Sequence, residues 1–357
     1  MRYLFSIVFI IALLHGCNIP PDKIIGIKIY DYTGDYSALA SKWEAMGINT
    51  AFISEKLATD KNFRKELAER KIKVFVIFPV FNNDELLKSD STLFAVTNTG
   101  QKAKQEWVHF VCPSRSSYIK YMNKKMAGMV SKLNPDGVSI DFIRQFVYWE
   151  KIYPDRDPST IERACYCDSC IGKFEASYGK SIPSDLTSKG DKASWIEKNC
   201  QSEWDEFRCN LITSMVADLT ETAHQLNEKI IVNLHIVPWR SSDFGNAIIR
   251  VASQNVVKMK EYADFISPMC YSQMVDRDAG WISDVVRDMD SKAKNMVVPS
   301  IQVYPYYIER KMDTDEFRKC LEEALKTPSK GVIFFSWPLF EKDSSRMDVV
   351  QQVIEQL

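Results

Sequence analysis

Three short apolar runs, over residues 24–30, 50–54 and 74–80, recur at a spacing of ~25 residues, with helical patterns between them. The helices are expected over 37–46, stopped by Gly47, and over 61–70. A strand–helix unit repeated at this interval demands a parallel sheet, because each helix carries the chain back to start the next strand in the same direction. Five further runs follow: 136–144, 230–236, 265–270, 297–303 and 331–335. Trp204, Phe207, Leu211, Met215, Leu219 and Leu226 form one helical stripe between them, and Phe317, Leu321 and Leu325 form another. Val349, Val350, Val353, Ile354 and Leu357 close the chain. Eight strands, each followed by a helix, predict an α/β fold, a (β/α)8 TIM barrel. The alternative, an open doubly wound sheet, needs a glycine-rich first turn, and Asp31-Tyr32-Thr33-Gly34-Asp35 is a poor one.

The rhythm breaks twice, after the third strand and after the fourth. Both breaks follow the C-terminal end of a strand, the face where barrels bind their ligands. Long insertions there shape a cleft, and neither is long enough to carry a core of its own.

The fourth run reads Asp-Gly-Val-Ser-Ile-Asp-Phe-Ile-Arg, from Asp136 to Arg144. A tight Asp-Gly turn opens it and a carboxylate, Asp141, ends it. That places Asp141 at the mouth of the barrel, with the Arg144 guanidinium just beyond. An acid at a barrel strand's end is a candidate catalytic group; the plainer reading is a helix cap or an ion pair with Arg144.

Charge excludes one class of partner. The chain has 46 basic and 47 acidic residues, and a nucleic-acid-binding domain is normally distinctly basic. The first residues form a separate signal. Arg2 precedes an apolar run over 3–14, too short to span a bilayer comfortably. It ends in Leu13-Leu14-His15-Gly16-Cys17, which resembles the lipobox of bacterial lipoproteins. The resemblance implies a signal peptide over 1–16, lipidation of Cys17, a tether over 17–23 and one barrel domain over 24–357. It also implies a protein of the cell envelope, lipid-anchored in the periplasm or on the outer-membrane surface.

Nine cysteines are present. Cys165, Cys167 and Cys170 lie too close in sequence to pair well with one another. They can converge on one metal, and Cys112 in the preceding insertion supplies the fourth thiolate of a closed tetrahedral zinc site. A disulfide scaffold is the alternative, permitted outside the cytoplasm.

Cys112-Pro113-Ser114 together with Cys165-x-Cys167-x-x-Cys170 resembles the four-cysteine zinc site of the family 42 β-galactosidases, over roughly residues 107–180. In that family the metal braces loops beside the catalytic face. The fourth strand departs from the family, which carries Asn-Glu where this chain has Asp141-Phe142-Ile143-Arg144. That strand, with Pro268-Met269-Cys270-Tyr271 in the sixth, resembles glycoside-hydrolase-like barrel proteins over most of the chain.

These resemblances imply a glycoside hydrolase acting on an oligo- or polysaccharide outside the cytoplasm, with structural Zn2+. Glycosidic cleavage usually needs two carboxyl groups. Asp141 is the first. The seventh strand, Pro299-Ser300-Ile301-Gln302-Val303-Tyr304, carries no acid, so a family 42 nucleophile has no counterpart there. Asp276 and Glu55 are the leading candidates for the second carboxylate, ahead of Asp31 and Glu341; each singly is more easily a cap or a surface acid. Candidate sugar contacts are Asp31, Arg144, Trp239, Tyr271, Gln302, Tyr304 and Trp337, because aromatic faces stack on sugar rings and polar groups bond their hydroxyls. His235 reads as a bonded core residue. The competing function is a non-catalytic glycan-binding lipoprotein on the same scaffold. A metal-dependent deacetylase is disfavoured: there are four histidines, one in the signal, and no His-x-x-x-His pair.

Overall fold

The apolar runs form strands because each is covered on one side by helices and on the other by the opposite strands of a barrel. The computed structural model describes residues 23–294 and 296–357. The signal, Cys17 and the tether up to residue 22 lie outside the described residues. The barrel strands are β1 Ile24–Ile29, β2 Thr50–Ile53, β3 Lys73–Pro79, β4 Gly137–Asp141, β5 Ile231–Ile236, β6 Phe265–Pro268, β7 Ser300–Gln302 and β8 Gly331–Phe335. Parallel pairing runs from β6 back through β5, β4, β3, β2 and β1 to β8 and β7. The circle closes where the Ile266 N–H donates to the Met296 carbonyl at 2.7 Å and the Val298 N–H to Ile266 at 2.9 Å. The seventh strand is shorter than its sequence run, since only an isolated pairing of Val297 with Ile266 precedes Ser300.

Helices alternate with the strands as expected, among them Tyr36–Ala45, Lys61–Glu69, Ser116–Leu133, Gln201–Leu226, Gly280–Ala293, Thr314–Leu325 and Ser345–Ile354. Their starts are set by side chains: Asp35 accepts from the Ala38 N–H and Asp60 from those of Asn62 and Phe63. No helix among the described residues is long and apolar enough to cross a membrane.

The barrel interior is graded. At the N-terminal end it is filled by Phe52, Phe75, Phe265, Val298 and Ile333. Gly26 and Gly137 make room for this layer. A Cβ on Gly26 would stand 2.6 Å from the Phe52 ring, and one on Gly137 2.3 Å from the Phe75 ring. Above it the inward positions turn polar: Lys28, Ser139, Asn233, His235, Ser267 and Ser300, all buried. Pairing sets this order, since Phe75 faces Gly137, Ile77 faces Ser139 and Pro79 faces Asp141. Successive inward residues of β4 therefore climb from glycine through serine to the carboxylate at the mouth.

The insertion after β3 contributes a short helix, Asp84–Ser89, and a two-stranded ribbon of Lys104–Gln105 with Val108–His109. The insertion after β4 contributes single helical turns at Trp149–Lys151 and Pro158–Thr160, then helices Asp168–Tyr178 and Lys189–Asn199. The two insertions sit side by side because β3 and β4 are neighbours.

Candidate functional site

The mouth of the barrel holds a cavity of about 410 Å³. Its floor is Lys28 of β1, Asp141 at the end of β4, Tyr271 just past β6 and Phe335 at the end of β8. The insertion after β4 supplies Phe142, Arg144, Trp149 and Glu150 to its wall, and the insertion after β3 supplies Trp107. Tyr30, Tyr306 and Tyr307 stand at the rim and are exposed, as is Trp107.

Two carboxylates line this one cavity, Asp141 and Glu150, and both are buried. Burial pushes the Glu150 carboxyl up to about 7; the Arg144 guanidinium opposes the shift and the Asp141 charge adds to it. Glu150 therefore holds a proton to far higher pH than an ordinary glutamate. Asp141 accepts the Phe142 N–H at 2.7 Å, and Phe142 has a left-handed backbone with φ of +50°. Such a conformation in an aromatic residue is strained, and strain of this kind concentrates at functional sites.

Arg144 is buried with its guanidinium over the Phe110 and Phe142 rings, at 4.8 and 5.4 Å from their centroids. Among the described residues its guanidinium makes one hydrogen bond, a long one, to the Gln145 carbonyl at 3.4 Å. Removal from water favours its neutral form, while the Glu150 and Asp141 charges oppose that shift. Several buried polar atoms along this segment have no hydrogen-bond partner among the described residues: Arg144 Nε, both side-chain ends of Gln145, Trp149 Nε1 and one Glu150 oxygen.

The aromatic walls are organised. Tyr271 and Phe335 stack with centroids 4.8 Å apart, and Trp149 lies 5.7 Å from Tyr271. At the rim the Trp107 indole N–H reaches the hydroxyls of Tyr148 at 3.1 Å and Tyr307 at 3.0 Å. Tyr148 donates in turn to Glu106 at 2.9 Å, and Glu106 is paired with Lys151.

Of the residues singled out from sequence, the cavity gathers Asp141, Arg144 and Tyr271. The other candidates lie outside its lining. Asp276 is exposed, 3.5 Å from the Arg310 guanidinium. Glu55 opens a short helix, Glu55–Ala58, directly after β2, with Ser54 as its cap. Asp31 is exposed and paired with Lys56 at 3.3 Å. Glu341 accepts from the Trp337 indole, and Trp337 is buried against Trp43. Trp239 is buried in a separate small cleft with Phe244 and Trp281. Tyr304 lies beneath the Arg346 guanidinium. Gln302 braces the loops, accepting from the Met274 N–H at 2.9 Å and donating to Gln273 at 2.9 Å.

Glu150 and Lys28 were not among the sequence candidates. Glu150 sits inside an insertion, away from the strand ends at which a barrel sequence marks its candidate acids. Its signal was local: a carboxylate in the run Val147-Tyr148-Trp149-Glu150, too apolar for a solvated loop. Lys28 had a clearer one, as the lone charge in the strand Ile-Ile-Gly-Ile-Lys-Ile.

The four thiols of Cys112, Cys165, Cys167 and Cys170 form a second cluster, all buried, with sulfurs within 4.8 Å of one another. Cys112 Sγ lies 3.4 Å from Cys167 Sγ and 3.5 Å from Cys170 Sγ. A tetrahedral zinc site with bonds of about 2.3 Å spaces its sulfurs about 3.8 Å apart. The donor set and its spacing suit one thiophilic metal ion. None of the four is in a disulfide.

No family model matches the chain, and no curated protein matches it in sequence. Solved structures do match in three dimensions. The glycoside hydrolase domain of PgaB (BpsB) from Bordetella bronchiseptica superposes with a TM-score of 0.70 over 92% of this chain and 98% of that one, at 8% identity. The barrel is of the kind found in glycoside hydrolases. A β-galactosidase from Bacillus circulans sp. alkalophilus gives 0.62 at 13% identity over 93% of this chain, which spans 56% of that enzyme's length. The spore cortex-lytic enzyme SleL of Bacillus megaterium gives 0.51 at 8% identity, over 92% of this chain and 73% of that one. At such identities the likeness is one of fold, and function rests on the site.

Proposed function

We propose that the chain is a glycoside hydrolase whose two working carboxyl groups are Glu150 and Asp141. The observation that carries this reading is the pair itself: two buried acids in one aromatic-walled cavity at the C-terminal mouth of the barrel, in environments that separate their roles. Glu150, protonated near neutral pH, delivers its proton to the glycosidic oxygen as the bond to the anomeric carbon breaks. Asp141 acts on the opposite side, as nucleophile or as the base that activates water. The water oxygen ends on the anomeric carbon; its proton returns to Glu150 when Asp141 is the nucleophile, and goes to Asp141 when Asp141 is the base, both groups then being reset by exchange with solvent. Trp107, Tyr306 and Tyr307 offer stacking surfaces to sugars that extend beyond the cavity.

On the same reading the four thiolates hold a structural zinc ion. When bound, the ion ties the insertion after β3 to the insertion after β4, which supply Trp107 and Glu150 respectively. The chain is a lipoprotein of the cell envelope, joined to the membrane through Cys17; its support is the sequence pattern and the start of β1 at Ile24, a few residues on.

The test is release of new reducing ends from a panel of oligosaccharides by the mature protein, with Asp141→Asn as control. Cleavage by wild type that the variant lacks supports the reading. Glycan binding without cleavage by wild type, merely weakened in the variant, would instead make this a binding lipoprotein on a hydrolase scaffold.

A further inference from the structure

The cavity contains one more charged group than glycoside hydrolysis requires. Lys28 points up from β1 into its floor, buried to 1% exposure, and no carboxylate among the described residues lies within 4.0 Å of its ammonium. The same is true of Arg144, also 1% exposed and lining the same cavity. Two buried cations without ion pairs in one cavity are costly in a folded protein unless a ligand answers them.

The layer beneath Lys28 fixes where its protons point. The Ser139 hydroxyl donates to Asn233 Oδ1 at 2.8 Å, and the Asn233 amide donates to the Ser267 hydroxyl at 2.8 Å. Ser139 Oγ is thus left to accept from His235 Nε2 at 2.9 Å. The proton of the neutral imidazole is on Nε2, so Nδ1 presents a lone pair to Lys28 Nζ at 3.5 Å. Burial and the adjacent ammonium hold His235 neutral, its pKa down at about 3. The Tyr271 hydroxyl takes a second ammonium proton at 3.4 Å and has Ser300 Oγ at 3.4 Å for its own. Beyond these two long hydrogen bonds the ammonium has only the face of the Phe335 ring, 5.6 Å from its centroid, so that among the described residues its third proton has no oxygen or nitrogen acceptor. Burial lowers the pKa of the Lys28 ammonium to about 8 against the pull of the Asp141 charge, which leaves it mostly protonated at neutral pH; with Glu150 as the protonated acid, the lining carries Lys28 and Arg144 against Asp141 alone. The surplus is one positive charge.

We propose that Lys28 and Arg144, which line the same cavity, form an anion-recognition subsite, and that the sugar seated over Asp141 carries an acidic substituent, a carboxylate or a sulfate or phosphate ester. This deepens the hydrolase reading and rests on it for the position of the sugar. An anionic group there takes the free ammonium proton and the unpartnered Arg144 donors, restoring charge balance.

The test uses uronic-acid-containing oligosaccharides, the same fragments with their carboxyl groups reduced to alcohols, and sulfated neutral oligosaccharides. Binding is measured by calorimetry and cleavage separately by reducing ends. The acidic fragments are expected to bind about 10- to 100-fold more tightly than their reduced counterparts. Lys28→Met, which keeps the stem and removes the charge, should erase most of that preference while leaving affinity for the reduced fragments within a few-fold. Lys28→Arg should restore part of it. Preference for uronate over sulfate, or the reverse, identifies the substituent. Equal binding of acidic and reduced fragments, equal loss of both in a folded Lys28→Met, or no binding of any acidic glycan overturns the subsite. Binding of acidic fragments without cleavage leaves the subsite standing and removes the hydrolase reading. Cleavage of neutral glycans alone does the opposite.

Discussion

Two clusters of chemically capable residues stand on the same face of this barrel, and they are built on opposite principles. The four-cysteine cluster is closed. Its thiols are buried and each lies within 4.8 Å of the others. Three come from one stretch of six residues, and Cys112 arrives from the neighbouring insertion. The cavity over Asp141 is open and gathers its groups from β1, β4, β8 and the loops beyond β3, β4, β6 and β7. It leaves buried polar atoms without a hydrogen-bond partner among the described residues, Arg144 Nε and a Glu150 oxygen among them. A closed set of like donors suits a permanent occupant and rewards the fold. Unlike groups held apart and unpaired cost stability, and such a cost persists where a transient ligand or a reaction uses it. The comparison separates what holds this face together from what works on it.

Substitutions can break that separation. The largest effect is expected from Asp141→Asn, nearly isosteric and placed at the cavity floor. Turnover should fall on the order of 10^3–10^4-fold with circular dichroism and melting temperature nearly unchanged. Unfolding of the variant would move Asp141 into the structural class with the cysteines.

Glu150→Gln should reduce turnover by ~10²–10⁴-fold, as loss of a general acid does. In wild type, activity should decline as pH rises through about 7, where Glu150 loses its proton. The stability sign follows from the same shift. A folded pKa raised above the ordinary 4.5 makes Glu150's contribution complete below that value and lost as pH rises towards about 7. Wild type should therefore lose melting temperature across this window more steeply than Glu150→Gln. Parallel curves would show that burial does not govern this carboxyl.

Cys167→Ser, or chelation of the metal, sharpens the contrast from the other side. Metal analysis should find about one zinc per chain in wild type and none in the variant. Melting temperature should drop, and cleavage should fall with it through the rim loops while the barrel persists. A full retention of stability and activity after metal loss would detach the cluster from the cleft.

Smaller effects test the edge of the cavity. Trp107→Ala removes an exposed stacking face and should raise KM roughly tenfold or less, with kcat little changed. Asp276→Asn, exposed and outside the lining, should leave both constants within about twofold.

Much of this could be read without a structure. Each barrel strand is a run of apolar residues whose local pattern suffices to define it, and all eight observed strands fall within or one residue from those runs. The spacing of Cys165, Cys167 and Cys170 is covalent, so their convergence needed little from the fold. Asp141 was legible because a strand's end is itself a local feature. Glu150 was not, because eight residues, nearly all irregular, separate it from Asp141, and no periodicity says where such a chain turns back. Trp239, Trp337 and Gln302 stand at or just past strand ends yet lie outside the cavity lining, for a related reason. Strand ends bring residues to the mouth, yet whether a side chain enters the cavity or packs behind it depends on which loops cover it.

The sequence by itself determined the order of strands and helices, the barrel, the two insertions on one face and the donor set of the cysteine cluster, all consequences of local pattern or short covalent spacing. Only the closed barrel decided that Lys28, Asp141, Arg144 and Glu150 share one cavity. Closure joins the first strand to the eighth and folds an insertion over the fourth, and contacts between residues so far apart in the chain are fixed by the packing of the whole circle rather than by any stretch within it.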